Sequence, residues 1–384
     1  MITRDIAYIG VDDTDLDLFE SQYIIPNGIS YNSYLIKDEK IAIMDTADNR
    51  KIDEWLENLR TALDGRTPDY LVVQHMEPDH AGCIAEILEE YPAIKIVASA
   101  RAIQMMPQFF EGKDFSQNTI AVKEGDTLSL GEHTLQFFMA PMVHWPEVMV
   151  TYDKKDKVVF SADGFGKFGA LSHEEDWACE ARRYYFNICG KYGGPVQALL
   201  KKLATLDVEC ICPLHGPILK ENLGYYIGLY DTWSKYDVET EGVFIAYASI
   251  HGGTAAVANV MADILREKGA KKVSVADLSR DDMAEAIEDA FRMDKMIVAA
   301  ASYDGGVFPV MHDFLHHLQI KAYQKRRVGI IENGSWAPCA GRVMRGMLEQ
   351  MKDVEIVEPM VTILSRMKQS DRAALEALAD AILK

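Results

Sequence analysis

Short β-rich apolar runs dominate roughly the first 215 residues: YNSYLI (31–36), IAIMD (41–45), YLVVQ (70–74), TLQFFM (134–139) and KVVFSA (157–162). Between them, apolar residues at three- and four-residue spacing over 51–63, 80–91 and 195–206 predict helices. The mixture does not alternate strictly, which suits two sheets flanked by helices. From about residue 242 the rhythm becomes regular: strands at 243–248, 272–276, 295–301, 327–332 and 354–357, each followed by a helix, at 253–268, 281–291, 307–320, 340–351 and 370–383. The runs VFIAYA and KMIVAAA are continuously apolar, as strands are when helices cover both faces of a parallel sheet. The polar stretch SKYDVETEG (234–242) breaks the apolar periodicity, so domains at 1–241 and 242–384 are expected.

Composition narrows the partners. Lys and Arg number 40 against 59 Asp and Glu, a formal charge of −19. That field repels a phosphate backbone and an anionic membrane surface, so neither nucleic acid nor membrane is an expected partner. No run approaches the ~20 apolar residues needed to cross a bilayer, and the N-terminus has no apolar signal core. A cytoplasmic location is expected. The six cysteines contain no C-x-x-C pair and read as reduced thiols. Cys210 and Cys212 are read as facing opposite sides of a strand.

The densest chemistry lies in Gln74-His75-Met76-Glu77-Pro78-Asp79-His80, after a strand and at a helix start. Alternation in an extended loop places His75, Glu77 and Asp79 on one side, and His80 can turn in as the helix begins. Such a cluster can hold two ions. Candidate partners are His144 in MVHWP, Asp163 in KVVFSAD and His215 in CPLHGP, each where a strand ends in a loop. Buried, unpaired Glu77 and Asp79 would be costly without a cation. Asp45, ending IAIMD, either orients a ligand histidine or serves as a turn residue.

These residues resemble the metallo-β-lactamase superfamily signature H-x-H-x-D-H with later His, Asp and His, but Glu77 stands in place of the second histidine. The H-x-E-x-D-H form, with HWP around His144, Asp163 in ADGFGKFG and His215 in CPLHGP, resembles the flavodiiron proteins over essentially the whole chain. The resemblance implies an α/β architecture: an N-terminal αββα metallo-β-lactamase-like sandwich followed by a flavodoxin-like, doubly wound, five-stranded parallel sheet. It implies two non-haem irons, with His75, Glu77 and His144 on one, Asp79, His80 and His215 on the other, and Asp163 bridging them. Carboxylate in place of imidazole adds a hard donor that favours ferric ion, which suits a metal that must cycle and not zinc.

In the second half, the strand at 243–248 runs into Ser249-Ile250-His251-Gly252-Gly253-Thr254 and a helix. Hydroxyls, glycines and a helix N-terminus together present backbone N–H groups to a monophosphate. Two more loops, Ser302-Tyr303-Asp304-Gly305-Gly306 and Ser335-Trp336-Ala337, follow the third and fourth strands. In strand order 2-1-3-4-5 the loops after strands one and three flank the switch point where FMN binds in flavodoxin-like folds. Tyr303 and Trp336 offer aromatic faces to the flavin. His251, Gly253 and the Trp336–Cys339 loop depart from the usual form.

The implied activity is reduction of dioxygen to water, of nitric oxide to nitrous oxide, or both, with no catalytic side chains assigned beyond the metal ligands. The resemblance also implies a head-to-tail homodimer or dimer of dimers, with Trp145 near the neighbouring flavin. Without a C-x-x-C module in this sequence, electrons are expected from an external donor: rubredoxin, a reduced deazaflavin or another carrier. The competing expectation is a dinuclear zinc hydrolase with a flavodoxin-like appendage. Gly164–Gly169 matches G-x-G-x-x-G by spelling alone, and His312 and His316 are read as a chance surface pair one helical turn apart.

Overall fold

A computed structural model describes residues 2–384. They form two compact units. One runs to Tyr185 and includes Gly194–Asp231; the other comprises Phe186–Gly193 and Thr232–Lys384. The short segment Phe186–Gly193 joins the second unit because Phe186 stacks on Phe291 at 4.3 Å and Asn187 O accepts from Lys321 Nζ at 2.6 Å.

The first unit is an αββα sandwich. Its six-stranded sheet runs, in spatial order, Ile6–Tyr8, Tyr34–Lys37, Ile41–Met44, Tyr70–Val73, Lys95–Ser99 and Thr119–Val122. A five-stranded sheet runs Thr127–Ser129, Thr134–Met139, Met149–Asp153, Val158–Phe160 and Cys210–Cys212. Ile36, Met44 and Val72 from one sheet meet Phe137, Met149 and Phe160 from the other in a fully buried core. Each such side chain contributes about 1.5–3 kcal/mol by leaving water. The packing therefore fixes where the strand ends, and the loops behind them, must lie.

The second unit is a parallel sheet in the order 2-1-3-4-5. Val273–Asp277, Thr240–Ala248, Met293–Tyr303, Arg327–Asn333 and Glu355–Ile356 pair in that order, all in parallel. The two central strands are buried almost throughout, which is why their sequences carry no polar alternation. The fifth strand resumes as Val361–Ile363 beyond Pro359, which has no N–H to give the ladder. Helix starts are set locally: Asp282 accepts from Ala284 N, and Pro309 opens the helix Pro309–Ile320.

One side-chain reading is corrected. Cys210 and Cys212, two apart on a strand, share a face, and their sulfurs lie 3.8 Å apart. All six cysteines are free thiols.

Candidate metal centre and cofactor cavity

Four loops leave the ends of strands in the sandwich and converge. The strand Tyr70–Val73 delivers 74–80, Thr134–Met139 delivers His144, Val158–Phe160 delivers Asp163 and Cys210–Cys212 delivers His215. The helix Pro78–Ala81 begins within the first loop, so His80 turns inward while Glu77 and Asp79 stay on the same side. His75, His80, Asp163 and His215 are fully buried.

The seven side chains form two groups that share Asp163. In the first, Glu77 Oε2 lies 3.2 Å from His75 Nε2 and 3.0 Å from His144 Nε2. Asp163 Oδ2 lies 3.3 Å from His75 Nε2 and 3.1 Å from His144 Nε2. In the second, Asp79 Oδ2 is 3.3 Å from both His80 Nε2 and His215 Nε2. Asp163 Oδ1 lies 3.2 Å from His80 Nε2. One carboxylate thus turns one oxygen to each group. Separations near 3 Å are those of neighbouring donors around an ion at about 2.1 Å.

The protein alone does not satisfy these groups. Both oxygens of Asp79 and of Asp163, both nitrogens of His80, and His215 Nε2 are buried without hydrogen-bond geometry to any partner. Each unsatisfied buried group costs about 1–3 kcal/mol, more for charged ones. Cations between them would satisfy the carboxylate oxygens, His80 Nε2 and His215 Nε2 together, so the residues fit a dinuclear metal site. The electrostatics agree. Burial opposes charge on the His144 ring, yet Asp163 and Glu77 outweigh it and push it up to about 9. Against their own desolvation, His75 is raised chiefly by Asp163, and His80 by Asp79 and Asp163. Desolvation would raise Glu77 and Asp163, but the surrounding imidazoles hold both far below the usual carboxylate range.

Several residues around the centre carry no motif. Glu147 Oε1 lies 2.7 Å from His75 Nδ1 and accepts from Met76 N at 2.9 Å. Its only sequence signal is an acidic residue just past His144-Trp145-Pro146. Phe19 and Tyr184 pack on the His215 ring at 5.4 and 5.6 Å, and Trp145 stands edge-on to His75 at 5.2 Å. Asp45 touches no histidine ring. It accepts from Gln74 N at 2.7 Å and from His75 N at 3.4 Å, so it shapes the backbone that carries the ligands. Burial pushes its carboxyl up to about 6 against these bonds. Asp45→Ala leaves the buried Gln74 amide without its acceptor. A loss of about 1–3 kcal/mol is expected, seen as a Tm lower by roughly 2–4 °C per kcal/mol.

In the second unit, loops after the first, third and fourth strands surround a cavity of about 580 Å³, within the usual range for a cofactor-sized ligand. Ser249, Ile250, His251, Gly253, Thr254, Ser302, Tyr303, Asp304, Gly305, Ser335, Trp336 and Ala337 line it; Gly252 and Gly306 do not. Gly252, at φ +81°, makes the turn into the helix Gly253–Glu267. Ser302 Oγ accepts from Cys339 N and Ala340 N, holding the start of the helix Ala340–Leu348. Ser365 and Arg366, after the strand Val361–Ile363, also line the cavity, and Arg366 brings a cation. Ser249 Oγ is buried without a partner, as suits a hydroxyl that awaits a phosphate. Trp336 is 92% exposed, leaving its ring free at the rim. A helix N-terminus, a partnerless hydroxyl and aromatic walls fit FMN.

Gly253 has a steric reason: a Cβ there would come within 2.4 Å of Ser365 O. Gly253→Val therefore forces two cavity loops apart. Overpacking of this kind costs about 1–3 kcal/mol, so FMN affinity should fall roughly 10-fold or more in a fluorescence titration while the iron content stays unchanged.

The family model "ODP family beta lactamase" matches residues 29–216. An uncharacterized protein of Methanocaldococcus jannaschii is 29% identical over 357 residues, 91% of this chain and 89% of the relative. The anaerobic nitric oxide reductase flavorubredoxin of Escherichia coli is 28% identical over 349 residues, 88% of this chain and 72% of the relative. The chain spans 64% of the diflavin flavoproteins that it matches in Synechocystis and Nostoc. The solved structure of rubredoxin oxygen:oxidoreductase from Desulfovibrio gigas superposes with a TM-score of 0.93 at 26% identity, covering 100% of this chain and 97% of that one. That likeness spans both units and both sites. Along its whole length the chain is similar to flavodiiron proteins. Flavodiiron architecture puts a metallo-β-lactamase-like sandwich and a flavodoxin-like sheet in one polypeptide, and both are present here.

Proposed function

We propose that this chain is a flavodiiron protein, an oxidoreductase that reduces dioxygen to water, nitric oxide to nitrous oxide, or both. Two irons would be held by His75, Glu77 and His144 and by Asp79, His80 and His215, with Asp163 shared. FMN would sit in the cavity of the second unit. The carrying observation is Asp163, whose two oxygens face two separate sets of donors. When bound, two ferrous ions and one reduced flavin together store the four electrons that dioxygen needs, or the two that couple a pair of nitric oxides.

The chain's own residues supply the rest. Three protein carboxylates and four neutral imidazoles nearly balance two divalent charges, so the centre can stay buried. Glu77, Asp79 and Asp163 provide hard oxygen donors that suit a metal cycling between ferrous and ferric. Phe19, Tyr184 and Trp145 wall the histidines with aromatic surface, which keeps water scarce and admits an apolar diatomic gas.

We assign the gas chemistry to residues 1–241 and flavin binding to 242–384. Electrons would come from an external donor such as rubredoxin, in keeping with the names of the Escherichia coli and Desulfovibrio relatives. A head-to-tail dimer, or a dimer of dimers, would bring each flavin to its partner's metal centre, with Trp145 near the neighbouring flavin. Among the described residues no helix is long and apolar enough to cross a membrane, and a cytoplasmic location is proposed.

The test is metal analysis with a flavin spectrum, then anaerobic turnover of each gas by the reduced protein at gas-selective electrodes. Iron, yellow flavin absorbance and gas consumption that Glu77→Ala abolishes without loss of FMN support the reading. A colourless zinc protein would turn it toward hydrolysis.

A further inference from the structure

Three of the four candidate ligand histidines, His75, His80 and His215, are not supported alike. His75 Nδ1 faces the Glu147 carboxylate at 2.7 Å, and both side chains are wholly buried. His215 Nδ1 faces a neutral backbone acceptor, Ser30 O, at 2.7 Å. His80 Nδ1 is buried with no partner. Asp45, the other buried carboxylate behind this loop, is bonded to Gln74 and to the His75 amide and to no ring nitrogen. Asp163 is divided between the groups, and each group has one further carboxylate, Glu77 or Asp79. Among the described residues, the unmatched anion in hydrogen-bond contact with a ligand ring is Glu147.

We infer that Glu147 is a positioning residue that makes the two iron positions chemically unequal, so that the iron of the His75–Glu77–His144 set is the more easily oxidised. The inference rests on the diiron reading above. With His75 Nε2 on a metal, its proton sits on Nδ1 and is donated to Glu147. A carboxylate acceptor draws that proton and leaves the ring more electron-rich, which favours the higher metal charge. A carbonyl does this less, and an absent partner not at all. Glu147 is itself held: Met76 N donates to the same oxygen, and Ser99 Oγ donates to the Glu147 carbonyl at 2.8 Å. The Met76 N–H thus holds the carboxylate oxygen that faces the ring, and the ring cannot turn without losing it.

The consequence can be read without turnover. In the iron-loaded, dithionite-reduced full chain, stepwise oxidation by ferricyanide removes one electron per iron. If the positions differ, a mixed-valence state builds up between the two steps and gives an EPR signal. Glu147→Gln keeps an oxygen acceptor and the side-chain shape but removes the charge. The lower of the two potentials should rise toward the other, and the mixed-valence signal at half oxidation should shrink. Glu147→Asp, which keeps the charge, should stay closer to the parent.

Unchanged potentials and an unchanged signal in Glu147→Gln would overturn the inference. Should that variant bind iron less well, losing one iron of the two, with affinity down about 10- to 100-fold, supports it. Losing both together overturns it. A parent protein that shows no mixed-valence signal although it holds two irons also overturns it. A parent that binds no iron pair at all instead removes the diiron reading on which it rests.

Discussion

Asp163→Asn should abolish gas reduction while leaving the flavin in place. The substitution preserves shape and the local turn, in which Gly166 N donates to the Asp163 carbonyl and Ser161 Oγ to the Gly164 carbonyl. It replaces one of two oxygens, each directed at a different set of imidazoles, by an NH₂ that cannot ligate. Whichever way the amide lies, one set loses its shared donor and the centre loses a charge. Iron content should fall from two to one or none per chain. Turnover should fall by on the order of 100-fold or more, beyond the 10–100-fold typical of outer partners. FMN, bound in the other unit, should remain stoichiometric. Metal analysis, flavin absorbance and gas electrodes on one preparation check all three, and sustained turnover with a full iron complement would refute the shared role.

Iron uptake by the metal-free chain should be steeply dependent on pH. His75, His80 and His144 are raised by their carboxylate neighbours despite burial, His144 to about 9. An unfolded histidine titrates near 6.5. The raised rings therefore stabilise the metal-free fold fully below about 6.5, and that contribution is lost as pH rises through their raised values, about 9 for His144. Between those limits the folded rings hold protons that a metal must displace. Glu77 and Asp163, held low, are already ionised there and release none. Each displaced proton changes the affinity about 10-fold per pH unit, and the factors multiply when more than one is displaced. Affinity should climb from pH 6 to 9. An anaerobic ferrous or cobaltous titration across that range, with proton release followed by indicator dye, measures it. An affinity that does not vary with pH would refute it.

The sequence and the tertiary structure contribute to this picture in different ways. The loops that line the second unit's cavity were legible because glycine, hydroxyl and aromatic residues followed strands of a regular βα series, and a parallel sheet brings all such loops to one edge. Ser365 and Arg366 were not, since they follow a strand interrupted at Pro359. Glu147 could not be distinguished from any other surface acid until the His144 loop folded it beneath His75. The cysteine pair was misread for a simpler reason: residues two apart on a strand lie on one face.

What the chain determined by itself was local. Periodicity set the strands and helices, and the spacing of His75, Glu77, Asp79 and His80 put four donors in one loop, because short-range geometry needs no other part of the molecule. Whether His144, Asp163 and His215 join them depends on where two packed sheets place the ends of distant strands. So do the division of Asp163 between two groups and the carboxylate behind His75 alone. These were decided only by the fold, since burial between sheets is a property of the whole chain and not of any stretch of it.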